Sequence, residues 1–166
     1  ESWEKSDDGL SYTFHLRPGL KWSDGTDLTA KDFVYSWKRL ADPQTAAPYS
    51  YDLMNMIDGF EEAQTGNLDA LKVEAPDDNN FLVHLSKPYF DKIAAFPVMV
   101  PLQEKSVEEN GDSWTTNPES YITDGPYKMT EYTDGDRVVF EKNENYWDKE
   151  HIPFDKIVWH LISDAN

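Results

Sequence analysis

With 166 residues, 32 acidic and 15 basic side chains, the chain has about one domain's length and a net charge of -17. A chain of this size can bury enough apolar surface to fold without disulfide staples. It contains no cysteine, which excludes thiolate nucleophiles and Cys-based metal sites. The acidic excess repels phosphate backbones and anionic lipid headgroups, so no nucleic-acid partner is expected, and no apolar run approaches the roughly 18 to 20 residues of a membrane-spanning helix.

In chain order, Asp7-Asp8-Gly9 predicts a hairpin turn, and Tyr12, Phe14 and Leu16 alternate with Thr13, His15 and Arg17 as in a strand with one buried face. A tight Ser23-Asp24-Gly25 turn follows. From Thr29 the period changes: Ala30, Phe33, Val34, Trp37 and Ala41 form one apolar stripe on a helix. Thr29 is its expected N-cap, with Asp32 in place of the usual Glu of a capping box, and Asp42-Pro43 ends it. Residues 46–52 read as irregular. A helix is expected from Met56 to Gln64, and a hairpin pairs Leu71–Ala75 with Phe81–Leu85 across Pro76–Asn80. Short helices are expected at Tyr89–Phe96 and Gln103–Asn110. A second hairpin pairs Pro126–Tyr132 with Arg137–Lys142, and the last strand is Ile157–Ile162. Helices and strands alternate without a regular βαβ repeat, which predicts an α+β (mixed α/β) domain, a small antiparallel-rich sheet with several short helices, over residues 1–166.

Catalytic signatures are missing: the chain has no Gly-x-Ser-x-Gly, His-Glu-x-x-His or phosphate-loop pattern, and its many carboxylates make chance pairs common. No enzyme activity is expected. His15, His84, His151 and His160 lie too far apart in sequence for helical or turn spacing to gather them, so metal ligation is not expected, and neither is a cofactor. The Asp-rich turns lack the oxygen ladder of a calcium loop. Of the aromatics, Trp37 and Trp159 fall on apolar phases and are expected in the core, and Trp22 is expected to pack. Tyr49 and Tyr51 are claimed by no periodicity. A tyrosine beside Pro48 offers a ring for stacking and a hydroxyl for bonding at little entropic cost, which makes Tyr49 and Tyr51 the candidate ligand-binding residues. The aromatic content of 14% leaves an aromatic-rich carbohydrate-binding module as the alternative.

The segments Phe14–Thr26 and Leu28–Leu40, the run Ala41–Tyr49, then Thr123-Asp124-Gly125-Pro126-Tyr127 and Asn143-Glu144-Asn145-Tyr146-Trp147-Asp148 together resemble the extracytoplasmic solute-binding proteins of family 5 that feed bacterial ABC importers. The likeness covers nearly the whole chain, and Phe33–Tyr49 is most similar to the oligopeptide-binding branch. The resemblance implies one lobe of a periplasmic-binding-protein-like type II fold, the second and smaller domain of a larger protein. It also implies an oligopeptide ligand, an ABC transporter permease as partner, and contacts with the remaining domains of the full-length chain. Location would be the periplasm or cell surface, with a leader and often a lipid-bearing cysteine upstream. In such relatives the tyrosine of the matching Pro-Tyr pair faces the peptide, which puts Tyr49 on that position; Tyr51 has no equally secure match. Glu1-Ser2-Trp3-Glu4 reads as mid-sequence and 157–162 as a strand without a cap, so a piece of a longer chain is expected.

Overall fold

The computed structural model describes residues 1–88 and 99–162. The chain divides into two compact units: residues 1–18 with 29–101, and residues 19–28 with 102–166.

The first unit is a four-stranded antiparallel sheet backed by helices. Strands β1 (Ser2–Lys5), β2 (Ser11–His15), β3 (Val73–Asp77) and β4 (Asn80–His84) lie in the order β1-β2-β4-β3. Helix α1 (Ala30–Ala41) packs on β3 and β4, and α2 (Ser50–Met54) and α3 (Phe60–Ala63) pack against α1. Alternation sets the buried face: Phe81, Val83 and Leu85 are all buried, while Leu82 and His84 are half-exposed on the other side. Phe81 is the centre of this core. Its ring packs edge-on against Trp37 at 5.0 Å between centroids, and against Phe33 at 5.5 Å and Phe14 at 6.1 Å. Each such pair adds about 0.5–1.5 kcal/mol beyond the area buried. The indole N–H of Trp37 donates to Met99 O at 3.2 Å, so its one polar atom is satisfied inside the core.

Helix α1 forms as its sequence predicts. Thr29 Oγ1 accepts from Lys31 N at 3.3 Å, and the Asp32 carboxylate reaches back to Thr29 N at 2.7 Å, giving the capping box. The helix ends at Asp42, before Pro43. Ser36 departs from the pattern: it lies outside the apolar stripe yet is buried, because its hydroxyl donates to Asp32 O in the preceding turn at 2.6 Å.

One strand goes beyond the expectations, and two expectations shift. Strand β1, with four exposed residues, carries no apolar alternation and is held by pairing with β2. The helix expected over 56–64 is broken: Ile57 bridges to Leu85 as a strand-like residue, Gly59 takes φ +77°, and only Phe60–Ala63 is helical. Strand β3 lies two residues later than expected and includes Pro76, tolerated because β3 is an edge strand with an irregular register there. The helix expected at 89–96 lies outside the described residues.

The second unit has strands β5 (Tyr127–Thr133), β6 (Arg137–Lys142) and β7 (Lys156–His160) in an antiparallel sheet of that order, with helix α4 (Glu104–Asn110). Its buried residues include Trp22, Leu28, Val107, Met129, Val138, Val139 and Ile152. The expected burial of Trp22 is met, at 1% exposure. Trp159 corrects its prediction: it is 60% exposed on β7, the last strand of this sheet among the described residues, with a T-shaped ring contact to Phe140 at 5.2 Å between centroids.

Two substitutions test this account. Thr29→Ala removes the cap's hydroxyl and should lower stability by about 1 kcal/mol, read by urea denaturation. Gly59→Ala combines a left-handed backbone with a Cβ that would fall 1.9 Å from Ala70 O, and should cost about 3 kcal/mol or more in the same assay.

Candidate functional site

The two tyrosines singled out by sequence open helix α2. Tyr49 is the N-cap residue of α2, with no side-chain cap bond, and Tyr51 lies in its first turn. Both are 65% exposed. The stretch 46–52 is thus not wholly irregular, because Ser50, Leu53 and Met54 bury one side of a short helix. The Tyr51 ring leans edge-on against buried Phe60, with centroids 6.1 Å apart, while Tyr49 has no ring partner among the described residues.

The loop that presents Tyr49 is braced at both ends. Asp42 Oδ1 accepts from Gln44 N at 2.8 Å, and Asp42 O accepts from Thr45 N at 3.1 Å. Ala46 adopts φ +51°, a left-handed conformation that is costly for a residue with a Cβ. The side chain of Gln64 donates to Ala41 O and to Ser50 Oγ at 3.4 Å, tying the end of α1 to the start of α2. Nothing in the sequence pattern pointed to Gln64, since it acts through a fold contact rather than a local motif. A strained loop pinned in this way holds an exposed aromatic in one place, which lowers the ordering cost of capturing a ligand.

The other motif residues do different work. In the second unit the segments around Trp22, Thr123 and Asn143 are stitched together. Ser23 N donates to Thr123 O at 2.8 Å and Thr123 N to Ser23 Oγ at 3.2 Å. The fully buried amide of Asn143 donates to Gly125 O at 2.8 Å and accepts from Asn145 N at 3.0 Å, while Asn145 Nδ2 donates to Ser23 O at 3.2 Å. Asp24 joins the set. Partial burial opposes its charge, but bonds from Gln103, from Thr26 Oγ1 and from Thr26 N outweigh that and hold its carboxyl below the usual value. These bonds hold backbone segments and neighbouring side chains together, so the role of the cluster is structural.

The histidines are dispersed on surfaces. His15 Nδ1 lies 2.6 Å from Asn80 Oδ1, and His84 Nδ1 lies 2.9 Å from Ser11 Oγ. His151 pairs with Asp148, which raises the pKa of the imidazole. Among the described residues no three His, Asp or Glu side chains are placed to share a metal ion. A polar pocket of about 320 Å³ in the second unit carries Asp24, Lys105, Glu109 and Glu119 on its wall, and neither predicted tyrosine lines it.

Residues 1–166 match the model of the bacterial extracellular solute-binding proteins, family 5 Middle. The chain is 43% identical over 168 residues to the periplasmic oligopeptide-binding protein OppA of Salmonella typhimurium, covering 98% of this chain and 31% of that protein. Among solved structures, the substrate-binding domain of an oligopeptide ABC transporter from Bacillus anthracis superposes with TM-score 0.90 at 39% identity, over 98% of this chain and 32% of that one. Listeria monocytogenes OppA bound to peptide gives TM-score 0.89 at 36% identity, over 98% and 33%. The chain therefore spans about a third of the length of the relatives it matches. The expected mixture of short helices and small antiparallel sheets agrees with these structures.

If the stitched cluster is structural, Asn143→Ala leaves Gly125 O and Asn145 N without their partner in a buried place. It should cost about 2–3 kcal/mol of stability, measured by thermal and urea unfolding.

Proposed function

Because the chain belongs to the family 5 bacterial extracellular solute-binding proteins, we propose that it is part of an extracytoplasmic oligopeptide-binding protein that captures peptides and delivers them to the permease of an ABC importer. The observation that carries this reading is the likeness, along nearly the whole chain, to relatives named for oligopeptide binding. The same likeness favours peptide capture over the carbohydrate-binding alternative. Burial of Trp22 and Trp37 agrees, since it removes two of the six tryptophans from any sugar-stacking platform.

In this reading the 166 residues supply one side of a cleft and the rest of the protein supplies the other. An extended peptide is held through its main chain, so that side chains of many kinds are accepted in hydrated pockets. Closure of the lobes around it is a hinge motion that the permease reads. Tyr49 is the contact this chain contributes: its ring covers part of the peptide while its hydroxyl is free to bond a peptide carbonyl or amide. Tyr51, equally exposed and with its ring edge-on to Phe60, is the second candidate contact. The family consists of solute-binding proteins, and no reaction is assigned to this chain.

Tyr49→Ala in the full-length protein should weaken binding of a mixed tri- to pentapeptide pool by about 1–2 kcal/mol, with stability nearly unchanged because the ring is exposed. Isothermal calorimetry decides it, and unaltered affinity would remove Tyr49 from the site. Tyr49→Phe separates the two contributions: retained affinity assigns the effect to the ring, lost affinity to the hydroxyl.

A further inference from the structure

We infer that Gln64 is a positioning residue for peptide capture: its side-chain amide fixes where the Tyr49 ring stands, and it acts on affinity through that ring rather than by contact with the ligand. The inference rests on the reading that Tyr49 is a peptide contact.

Tyr49 does not hold itself in place. Its ring is 65% exposed, so the ring's position is set by its backbone. That backbone belongs to the first turn of α2, where Tyr49 O accepts from Leu53 N at 3.1 Å. Helix α2 has five residues and no side-chain cap, too short to be stable by its own hydrogen bonds. Leu53 and Met54 anchor its far end in the core. At the near end stands the buried Ser50, whose Oγ accepts from Gln64 Nε2 at 3.4 Å.

The other end of the loop meets the same amide. Ala41 O is one of the last carbonyls of α1, which find no partner within their own helix, and Gln64 Nε2 donates to it. The segment 42–49 therefore starts and finishes at one side chain. In between, the loop is folded by turns of its own. Thr45 N donates to Asp42 O at 3.1 Å, Ala46 N to Pro43 O at 3.2 Å and Ser50 N to Ala47 O at 3.1 Å, with Ala46 left-handed at φ +51° among them. These bonds shape the loop but move with it, whereas the amide of Gln64 joins it to another element. Gln64 in turn stands on the core: its backbone N–H donates to Phe60 O at 3.0 Å, and Phe60 is 2% exposed.

A ring held in its bound place before the peptide arrives contributes its whole contact. A ring whose backbone wanders contributes less, in proportion to the time it spends in place. The effect of losing the Gln64 donor is therefore bounded by the effect of losing the ring.

The test is a double-mutant cycle on the full-length protein, Gln64→Met with Tyr49→Ala, read by calorimetry on the tri- to pentapeptide pool and by hydrogen exchange with mass spectrometry on the peptide-free protein. Methionine keeps the length of glutamine and removes the donor. Gln64→Met should weaken binding about 3–10-fold, less than Tyr49→Ala does, and should change affinity by less than about 1.5-fold once Tyr49 is alanine. In the free protein the segment 50–55 should exchange about 10-fold faster in Gln64→Met, with β4 unchanged. A merely structural role would lower the urea midpoint without this coupling. Equal weakening in both backgrounds would overturn the inference, and so would unchanged exchange of 50–55. If Tyr49→Ala weakens binding and Gln64→Met does not, the Tyr49 contact stands and the positioning role falls. If Tyr49→Ala leaves affinity unaltered, the contact itself is rejected, and faster exchange in Gln64→Met then marks a clamp of the fold alone.

Discussion

The buried amide of Asn143 is the constraint on which the second unit depends. With no solvent to fall back on, its donor and acceptor must both be matched, and they are, by Gly125 O and Asn145 N. Those two bonds fix the turn after β6 against the strand entry at Gly125. Asn145 then passes the constraint to Ser23, 122 residues away in sequence, and Ser23 to Thr123. A chain of directional bonds between irregular segments gives what a hydrophobic contact cannot, a single register for loops that have no ladder of their own. Trp22, 1% exposed beside this network, supplies its apolar mass; its indole nitrogen is the one buried side-chain polar atom among the described residues without a partner.

The first unit is organised by apolar packing instead, around Phe81. That difference explains what could be read from sequence. Helix α1 was legible in full because its stripe, its cap and its terminator are local and agree with one another, and β4 because its alternation is strict. Hairpin β5–β6 was legible from its turn. The break at 55–59 was not, since Ile57 leaves the helix for a bridge to Leu85 that exists only once the sheet has formed. Trp159 was misjudged for the complementary reason: alternation reports that a side chain prefers burial, and the partner surface that would bury it must be supplied by something else.

The candidate site was legible only in part. A Pro-Tyr pair outside any periodic segment marked Tyr49, and the structure finds that residue exposed on a strained, braced loop. The brace itself could not be read, because Gln64 lies outside the loop it holds and looks like any polar residue near the end of a helix. Nor could the start of α2 at Ser50, which owes its helical turn to burial of Leu53 and Met54 rather than to a cap. Motif strength and the proposed ligand contact have separated here: the strongest sequence signature builds the scaffold, and the residue proposed for the ligand is a single exposed ring.

The charge of the molecule has a correspondingly limited role in its fold. Lys31–Asp78, Lys38–Asp69 and Lys142–Asp155 are close pairs, and each lowers an acid's pKa or raises a lysine's, yet one or both partners stand open to water. Exposed pairs of this kind contribute little, and salt screens what they do contribute. Of 32 carboxylates, most have nothing basic to meet, since there are only 15 lysines and arginines. The surplus therefore acts as a field over the surface, which keeps molecules apart and repels anions while leaving the choice of conformation to the cores. The proposed main-chain grip suits such a surface, because peptide amides and carbonyls are neutral and their binding would not depend on matching that field.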